Sequence, residues 1–509
     1  SITVEGLVLS EIFDAIFSRF YGSGDLTITA TNTAGEAQIT GGGSGVYALN
    51  AGSGAASVTV DNVTAANGNG IFVDNEASAT SLSVTAKGTV QATTGAGIFA
   101  ENDGTGDLTI NATNAEGDAS VSGTTYGIFA EHTGSGATVV TANSVTGTVI
   151  DGIRVEGDSS TTSASVTTTG NVYGGRNGII VDSNGSGDLT INASNSAGTG
   201  VVRGGENGVV ALNGGTGSAN VTVDNAYGGS GDGIQASNIS EFATDLTVTA
   251  NGTVTGSDYG ITTFNGGSGD LTITASNSAG TAQVTGGDDE GIQAGNANGG
   301  AISITADNVS STNGNAIEAT NDSAGTGLSI ATSGTVRSAQ AAGIDADHDG
   351  SGDLIITATN AAGTAQVTGD TYGIFAAADT LANALTITAN NVSSVSGNGV
   401  FAANYGSGDV TIDITNDAGT GQVTAANVGI FTRNNNGGVL TVTANNVSST
   451  NSAAIDVIND TAGTSLSVTT SGFVRSDGSD GIRAEQAGSG DLAISATNSD
   501  GSARIIAQE

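Results

Sequence analysis

An eleven-residue phrase recurs seven times along the chain and constrains the fold more than any other feature. It reads GSGDLTITATN at residues 22–32, and variants of it begin at residues 104, 185, 267, 350, 406 and 488. Five of the six spacings are 81 to 83 residues, and the spacing from residue 350 to residue 406 is 56. The short spacing is two-thirds of the others, so the basic unit has about 27 residues and a full module contains three, which predicts a solenoid.

Each unit contains the pattern of three short β-strands. A strand such as LTITAT or SVTVD alternates apolar and polar residues, a short segment such as AQIT or TVQA follows, and a strand of the type Gly-Ile-x-Ala closes the unit. Alternation with a period of two predicts strands that bury one face, and the intervening Gly and Asn residues predict tight corners. We therefore predict an all-β fold, a single right-handed parallel β-helix of about nineteen coils with three short strands per coil.

Two columns of residues in the predicted stack are nearly invariant. The corner after the first strand holds mostly Asn or Gly, as in Asn32, Asn62 and Gly88, and we expect left-handed backbone and coil-to-coil amide hydrogen bonds there. The residue after the Gly that opens the third strand is Ile or Val, as in Val46 and Ile71. An unvarying branched aliphatic predicts an inward stack.

The repeats continue from end to end, so we expect one continuous β-helix over residues 1–509, uncapped at both ends as in a fragment of a longer solenoid. Residues 1–21 align without a gap on residues 83–103 and so belong to the repeat. The predicted modules are 22–103, 104–184, 185–266, 267–349, 350–405 (two units only), 406–487 and 488–509 (partial).

Charge and composition exclude several classes of function. The net charge is −39 with only 10 Lys and Arg residues, so the surface repels nucleic acid and anionic lipid, and we expect no nucleic-acid partner. The chain has no Cys, which excludes disulfides and thiolate metal sites. No apolar stretch is long enough to predict a membrane-spanning helix.

One predicted outward column, two residues after the opening Gly, is the candidate contact surface. Its aromatic members are Phe17, Tyr47, Phe72, Phe99 and Phe129, and later Phe375, Phe401 and Phe431. Stacked rings on a sheet face stabilise each other by about 0.5–1 kcal/mol per pair, so the column has a structural explanation. The functional alternative is an exposed apolar stripe that contacts a partner or another copy of the chain.

A second outward column holds mainly Thr, as in Thr29, Thr59 and Thr85, with interruptions such as Asn111 and Asp413. The resulting Thr-x-Thr array resembles the face of β-solenoid ice-binding proteins, which leaves ice binding as an alternative function. Strand propensity and hydrogen-bonded Thr pairs explain the same column structurally.

The segment from Asp345 through Asp347 to Asp349 resembles the start of an EF-hand loop and is the only candidate metal site. Its twelfth position is Ile356, which cannot supply the bidentate carboxylate of such a loop. An acidic corner of the repeat explains the segment equally well. We expect no cofactor, with Ca²⁺ as the one candidate ion.

Catalytic residues are not indicated by the sequence. The two histidines, His132 and His348, lie at predicted corners, and no module departs enough from the repeat to predict a cleft. The alternative of a polysaccharide lyase or hydrolase requires a cluster of carboxylates, which 49 acidic residues leave open. We expect a protein that is not an enzyme.

Coils such as GTGDLTINATN and GNGIFVDN resemble the β-helical passenger domains of Gram-negative autotransporters, in the style of haemagglutinin-like and self-associating adhesins. The resemblance covers essentially all of the chain and carries over no catalytic residue. It implies an extracellular protein of the bacterial cell surface, exported through a C-terminal outer-membrane translocator outside this chain. The implied function is adhesion or self-association in aggregates and biofilms, with other cells, a host or abiotic surface, a glycan or another copy as partner.

Overall fold

The computed structural model describes residues 1–497 and 504–507, and all regular secondary structure in this part of the chain is β-strand. The chain forms two compact units, Ser1–Gly256 and Ser257–Glu509. Each unit is a parallel β-solenoid with three strands per coil, which confirms the predicted fold class. No helix in the described ranges is long and apolar enough to span a membrane. The corner predicted at Asn498 lies outside the described residues.

The strands of each coil belong in chain order to a first, a second and a third sheet. In the first unit the first sheet contains Ile2–Val4, Leu26–Ala30, Ala56–Val60, Leu82–Ala86, Leu108–Ala112, Ala137–Ala142, Ser163–Thr168, Leu189–Ala193, Ala219–Val223 and Leu246–Ala250. The second sheet contains Leu7–Ser10, Gln38–Gly41, Asn62–Ala65, Thr89–Ala92, Ser120–Gly123, Ser144–Gly147, Val172–Gly174, Val201–Gly204, Asn225–Gly228 and Thr253–Thr255. The third sheet contains Ile16–Phe20, Val46–Asn50, Ile71–Asn75, Ile98–Asn102, Ile128–His132, Ile153–Gly157, Ile179–Ser183, Val209–Asn213 and Ile234–Asn238.

The second unit has the same three sheets. Its first sheet contains Leu271–Ala275, Ala301–Ala306, Gly327–Thr332, Gly352–Ala358, Ala382–Ala389, Val410–Ile414, Gly438–Ala444, Gly463–Thr470 and Leu492–Ala496. The second sheet contains Gln283–Gly286, Asn308–Ser311, Thr335–Ser338, Gln366–Gly369, Asn391–Ser394, Gln422–Ala425, Asn446–Ser449, Phe473–Ser476 and Arg504–Ala507. The third sheet contains Ile261–Asn265, Ile292–Asn296, Ile317–Asn321, Ile344–His348, Tyr372–Ala378, Asn398–Asn404, Ile430–Asn434, Ile455–Asn459 and Ile482–Gln486.

Within each unit the strands pair in parallel with the equivalent strands of the next coil, in register except for irregularities at Gly352 and Gly438. Because side chains alternate across a strand, Leu26 and Ile28 are buried while Thr27 and Thr29 are half-exposed outside. Ile28 lies directly beside Val58 of the next coil. The core of each unit is therefore a set of stacked aliphatic columns, as the sequence predicted.

The Asp of the repeated phrase caps the coil that follows it. The Oδ1 atom of Asp25 accepts a hydrogen bond from the backbone N–H of Ala55 at 2.9 Å. The same bond recurs from Ala137 to Asp107, Ser218 to Asp188, Ala301 to Asp270, Ala384 to Asp353 and Val439 to Asp409. The Asp of the phrase recurs because it satisfies the same backbone donor at each of these coils.

The prediction of left-handed backbone at the first corner is wrong. Within the described chain no residue other than glycine has a positive φ, and Gly88 is not among the glycines that do. Positive φ occurs instead in the following loop, as at Gly35 with φ 70°. Glycine is needed at this corner for a steric reason. A Cβ on Gly88 would lie 2.4 Å from Asn62 Oδ1, which accepts a hydrogen bond from Thr89 N.

The amide ladder between coils lies inside the solenoid, at the end of the third strand. Asn50 Nδ2 donates to Asn75 Oδ1 at 2.7 Å, and Asn75 Nδ2 donates to Asn102 Oδ1 at 2.6 Å, all within the buried interior. Buried polar residues occupy the equivalent position at His132, Ser183, Asn213, Asn238, Asn265, Asn296, Asn321, His348, Asn404, Asn434 and Asn459. The coil-to-coil amide bonds predicted at the first corner also occur, but with backbone partners, as where Asn62 Nδ2 donates to the carbonyl oxygen of Gly35 at 3.2 Å. The buried column was not predicted.

We expect Asn75→Ala to destabilise the first unit by about 2 kcal/mol, because the buried amide of Asn50 loses its acceptor. The matched control is Asn111→Thr, which places at an exposed site the residue found at that position in both neighbouring coils, Thr85 and Thr141. Urea unfolding followed by circular dichroism measures both variants. An equal loss in the two would contradict a stabilising ladder.

His132 continues the ladder as a neutral imidazole. Its Nε2 atom faces Asn102 Nδ2 at 3.2 Å, and its Nδ1 atom lies 3.0 Å from Thr138 Oγ1. An amide N–H can only donate, so Nε2 is the acceptor and Nδ1 carries the proton. Burial lowers the pKa of His132 below the ordinary 6.5, against the smaller opposing effect of Asp107.

Replacing His132 by Asn should remove a loss of stability at acid pH. With a lowered folded-state pKa, the stabilising contribution of neutral His132 is present above pH 6.5 and is lost as the pH falls through that lowered value. We expect the wild-type urea midpoint to fall relative to that of His132→Asn between about pH 7 and about pH 4. Parallel pH profiles of the two proteins would show that this histidine does not titrate on unfolding.

Candidate functional site

Five aromatic side chains stack on the outer face of the third sheet in the first unit. Successive ring centroids are 5.1, 4.8, 5.3 and 4.8 Å apart, with interplanar angles of 12 to 25°. This first aromatic ladder consists of Phe17, Tyr47, Phe72, Phe99 and Phe129. Its spacing is close to the separation of paired strands, about 4.8 Å, so the coil repeat itself holds the rings in contact.

The first aromatic ladder is not equally accessible along its length. Phe17 is 54% exposed, Tyr47, Phe72 and Phe99 are half-buried, and Phe129 is only 7% exposed. Tyr126 packs against Phe129 with 5.0 Å between ring centroids and an angle of 45°. Phe129, which the sequence analysis placed among the contact residues, therefore offers a partner little surface.

A second aromatic ladder lies on the third sheet of the second unit. Phe375, Phe401 and Phe431 stack with centroids 4.9 and 5.1 Å apart, at angles of 5 and 16°. Tyr372 meets Phe375 edge-on at 5.3 Å. All four rings are half-buried and present a continuous apolar strip.

The column continues after Phe129 with Arg154, which belongs to a cluster of charged groups. Its Nε donates to Glu156 Oε1 at 2.6 Å, and its Nη1 donates to Asp151 Oδ2 at 3.3 Å. Arg176 Nη2 also donates to Asp151, at 2.9 Å. Asp151 is fully buried, so two guanidinium groups satisfy a carboxylate that could not otherwise be buried. The sequence analysis did not single out this cluster.

Five carboxylates form an outward column on the third sheet, two residues after the aromatic column; the first three lie beside rings and the last two beside Arg154 and Ile180. This carboxylate column consists of Asp74, Glu101, Glu131, Glu156 and Asp182, paired in register from coil to coil. The sequence analysis missed it. The signal was present, because five successive coils carry an acidic residue at one position of a Gly-Ile strand.

Ionisation of the carboxylate column destabilises the folded protein. Partial burial, followed by repulsion from Asp74, Glu131 and Asp103, raises the pKa of Glu101 to about 7. Partial burial is also the largest cause of raised pKa values at Asp74, Glu131 and Asp182. The stacking that favours aromatic rings brings like charges together here.

The outward Thr columns lie on the first sheet, as predicted. Thr29, Thr59 and Thr85 are half-exposed and paired in register, while Asn111 and Asp413 occupy the same position in other coils. Their array is regular over only a few coils at a time. Ice binding through this face stays a prediction.

The three aspartates of the candidate metal site do not form a loop. Asp345 and Asp347 lie on the outward face of the strand Ile344–His348, and Asp349 follows it. Burial, then repulsion from Asp347, raises the pKa of Asp345 to about 7. Within residues 1–497 and 504–507, no group of three or more His, Asp or Glu side chains has a geometry that could hold a metal ion.

Both histidines are inside the solenoid. His132 and His348 are fully buried, and burial lowers the pKa of each. His348 Nε2 donates to the carbonyl oxygen of Ser351 at 2.8 Å. Neither imidazole reaches the surface, so neither can exchange a proton with a substrate bound there.

No protein-family model matches the chain, and neither a curated protein nor a solved structure shows significant similarity to it. The two aromatic ladders and the carboxylate column are the surface features that indicate a function.

Glu101→Gln should stabilise the first unit at alkaline pH and not at acid pH. A raised pKa means that the folded state binds this proton more tightly than the unfolded chain. The free energy of unfolding therefore decreases as the pH rises from 4.5 to about 7 and Glu101 ionises. We expect the thermal midpoint to rise by about 2 °C at about pH 8 and to be unchanged at about pH 4. The control is exposed Glu36→Gln, and equal shifts at both pH values would contradict the repulsion.

Proposed function

We propose that this protein is an extracellular adhesin that attaches to surfaces through its aromatic ladders. One observation supports this function above the others: half-exposed rings stand at a column position where the fold does not need them. Gln235 occupies the column in the first unit and Thr262 in the second, within coils that keep the same inward Ile. Exposed apolar strips that the scaffold does not require are typical of interaction surfaces.

The proposed mechanism is repetitive contact. Each ring offers a flat apolar surface of modest affinity, and rings held one coil apart engage a partner together, so weak contacts add up through multivalency. The in-register scaffold holds the rings before binding, which lowers the entropy lost on contact. This activity requires no catalytic group.

The proposed location is the bacterial cell surface, supported by the resemblance of the coils to autotransporter passenger domains. Candidate partners are other cells, a host or abiotic surface, a glycan or another copy of the chain. A net charge of −39 favours solubility of a long β-structure and disfavours contact between like surfaces.

Removing the three half-buried rings of the first aromatic ladder should reduce attachment. In the test variant Tyr47, Phe72 and Phe99 are replaced by Thr, a residue that the same column already accepts at position 262. The control variant replaces three aromatics outside the ladders by Thr: Tyr173, Tyr227 and Tyr405. Retention of protein-coated beads on bacterial, host-cell and abiotic surfaces under flow measures adhesion.

We expect bead retention to fall about tenfold in the test variant and less than about twofold in the control, because multivalent binding amplifies the loss of each contact. Circular dichroism should show unchanged β-structure in both. Retention that persists after Phe17, Phe375, Phe401 and Phe431 are also replaced would rule out adhesion through the ladders.

A further inference from the structure

The third sheet of the first unit presents rings and carboxylates side by side over three successive coils. The pairs are Phe72 with Asp74, Phe99 with Glu101 and Phe129 with Glu131. The two members of a pair are two residues apart on one strand, so they project from the same face about 6.6 Å apart. We call these six residues the composite face.

The fold does not require carboxylates at these positions. Leu49 precedes the carboxylate column and pairs in register with Asp74, the first member. Leu212 follows the column and pairs in register with Asp182, the last member. Like charges directly opposite one another destabilise a sheet. A costly arrangement with no scaffold role is expected where a partner supplies the opposite charge.

Two arginines of the protein itself show that a guanidinium group can contact both the aromatic column and the carboxylate column. Arg19 stands in line with the carboxylate column, and its guanidinium carbon lies 5.2 Å from the centroid of the Phe17 ring. Arg154 stands in the aromatic column and donates to Glu156 Oε1 at 2.6 Å. A guanidinium thus contacts a ring on one side of the composite face and a carboxylate on the other.

Four coils lie between those of Arg19 and Arg154, and their third-sheet strands carry no Lys or Arg; Lys87 lies at the corner between the first and second sheets instead. No ion pair among the described residues includes Asp74, Glu101 or Glu131. Their charges and the half-buried rings of Phe72 and Phe99 are therefore available to groups from outside, whereas Phe129 adds little ring surface.

The charge of each candidate partner determines which one fits the composite face. A second copy of this chain, a nucleic acid and an anionic lipid all bring further negative charge. A neutral glycan could stack on the rings but would leave the carboxylates unneutralised. A basic polypeptide satisfies both columns, and arginine suits them better than lysine because its planar group both stacks on rings and pairs with carboxylates.

We propose that the composite face binds an arginine-rich polypeptide segment of a partner, with guanidinium groups packed against the exposed parts of the rings and paired with the carboxylates beside them. This inference rests on the proposed function, since it names the partner chemistry for one contact surface of the adhesin. Binding to the second aromatic ladder is not part of it.

Fluorescence anisotropy with a labelled nona-arginine peptide tests the proposal on the full chain in about 150 mM salt, which screens long-range attraction. The test variant carries Asp74→Asn, Glu101→Gln and Glu131→Gln. The control carries Glu36→Gln, Glu116→Gln and Glu206→Gln, the same change of charge at exposed sites elsewhere in the first unit. We expect affinity to fall about tenfold in the test variant and less than about twofold in the control. Equal losses would overturn the proposal, because they would show attraction to net charge alone.

A second variant separates the rings from the charges. Phe72→Leu with Phe99→Leu keeps an apolar surface but removes the π-systems. We expect wild-type protein to prefer nona-arginine to nona-lysine by about threefold or more, and the variant to lose that preference. A preference that survives both substitutions, or no preference in the wild type, would overturn the proposal.

The outcomes for adhesion and for peptide binding are distinct. Normal bead retention without nona-arginine binding would overturn the partner chemistry alone, and so would binding of a neutral oligosaccharide at the composite face in place of the peptide. Peptide binding that requires the composite face, without bead retention, would support this inference while the proposed adhesion fails. Affinity should also fall from about pH 8 to about pH 6, because Glu101 gains a proton beside Asp74, Glu131 and Asp103.

Discussion

In-register parallel pairing of each coil with the next is the interaction on which the rest of this structure depends. It places every side chain directly against its counterpart about one strand spacing away, so any chemical property of a position is multiplied along a column. Inward, this gives aliphatic stacks such as Ile28 on Val58 and the buried amide ladder from Asn50 to Asn102. At the corners it makes one Asp carboxylate satisfy a backbone donor of the next coil.

The same pairing turns the outside of each sheet into a set of independent columns. Aromatic residues gain from being stacked, whereas carboxylates are destabilised by it, so neighbouring columns on one strand have opposite effects on stability. The first aromatic ladder could persist for structural reasons alone, but a carboxylate column cannot. Its presence next to the rings is why the composite face, rather than the rings alone, indicates the chemistry of a partner.

Much of the fold was predictable because a repeat and a period-two pattern are local properties. The inward Leu26 and the outward Thr27 followed from alternation alone. The first corner was mispredicted because Gly was interpreted through its freedom in φ, whereas Gly88 is needed to leave room for the Asn62 amide. The buried amide ladder was missed because polar residues that end a strand are expected at a surface corner, and only the packed coil shows that this one turns inward.

The sequence by itself determined the coil length, the three strands per coil and the side chains that share a column, because each depends on spacing along the chain. Only the tertiary structure decided how exposed each column member is and how much its ionisation destabilises the fold. Tyr126 covers Phe129, two arginines hold buried Asp151, and partial burial, followed by repulsion from neighbouring carboxylates, raises the pKa of Glu101 to about 7. The contact of Arg176 with Asp151 and the repulsion at Glu101 arise between side chains in different coils, whose distances and burial exist only once the coils have stacked.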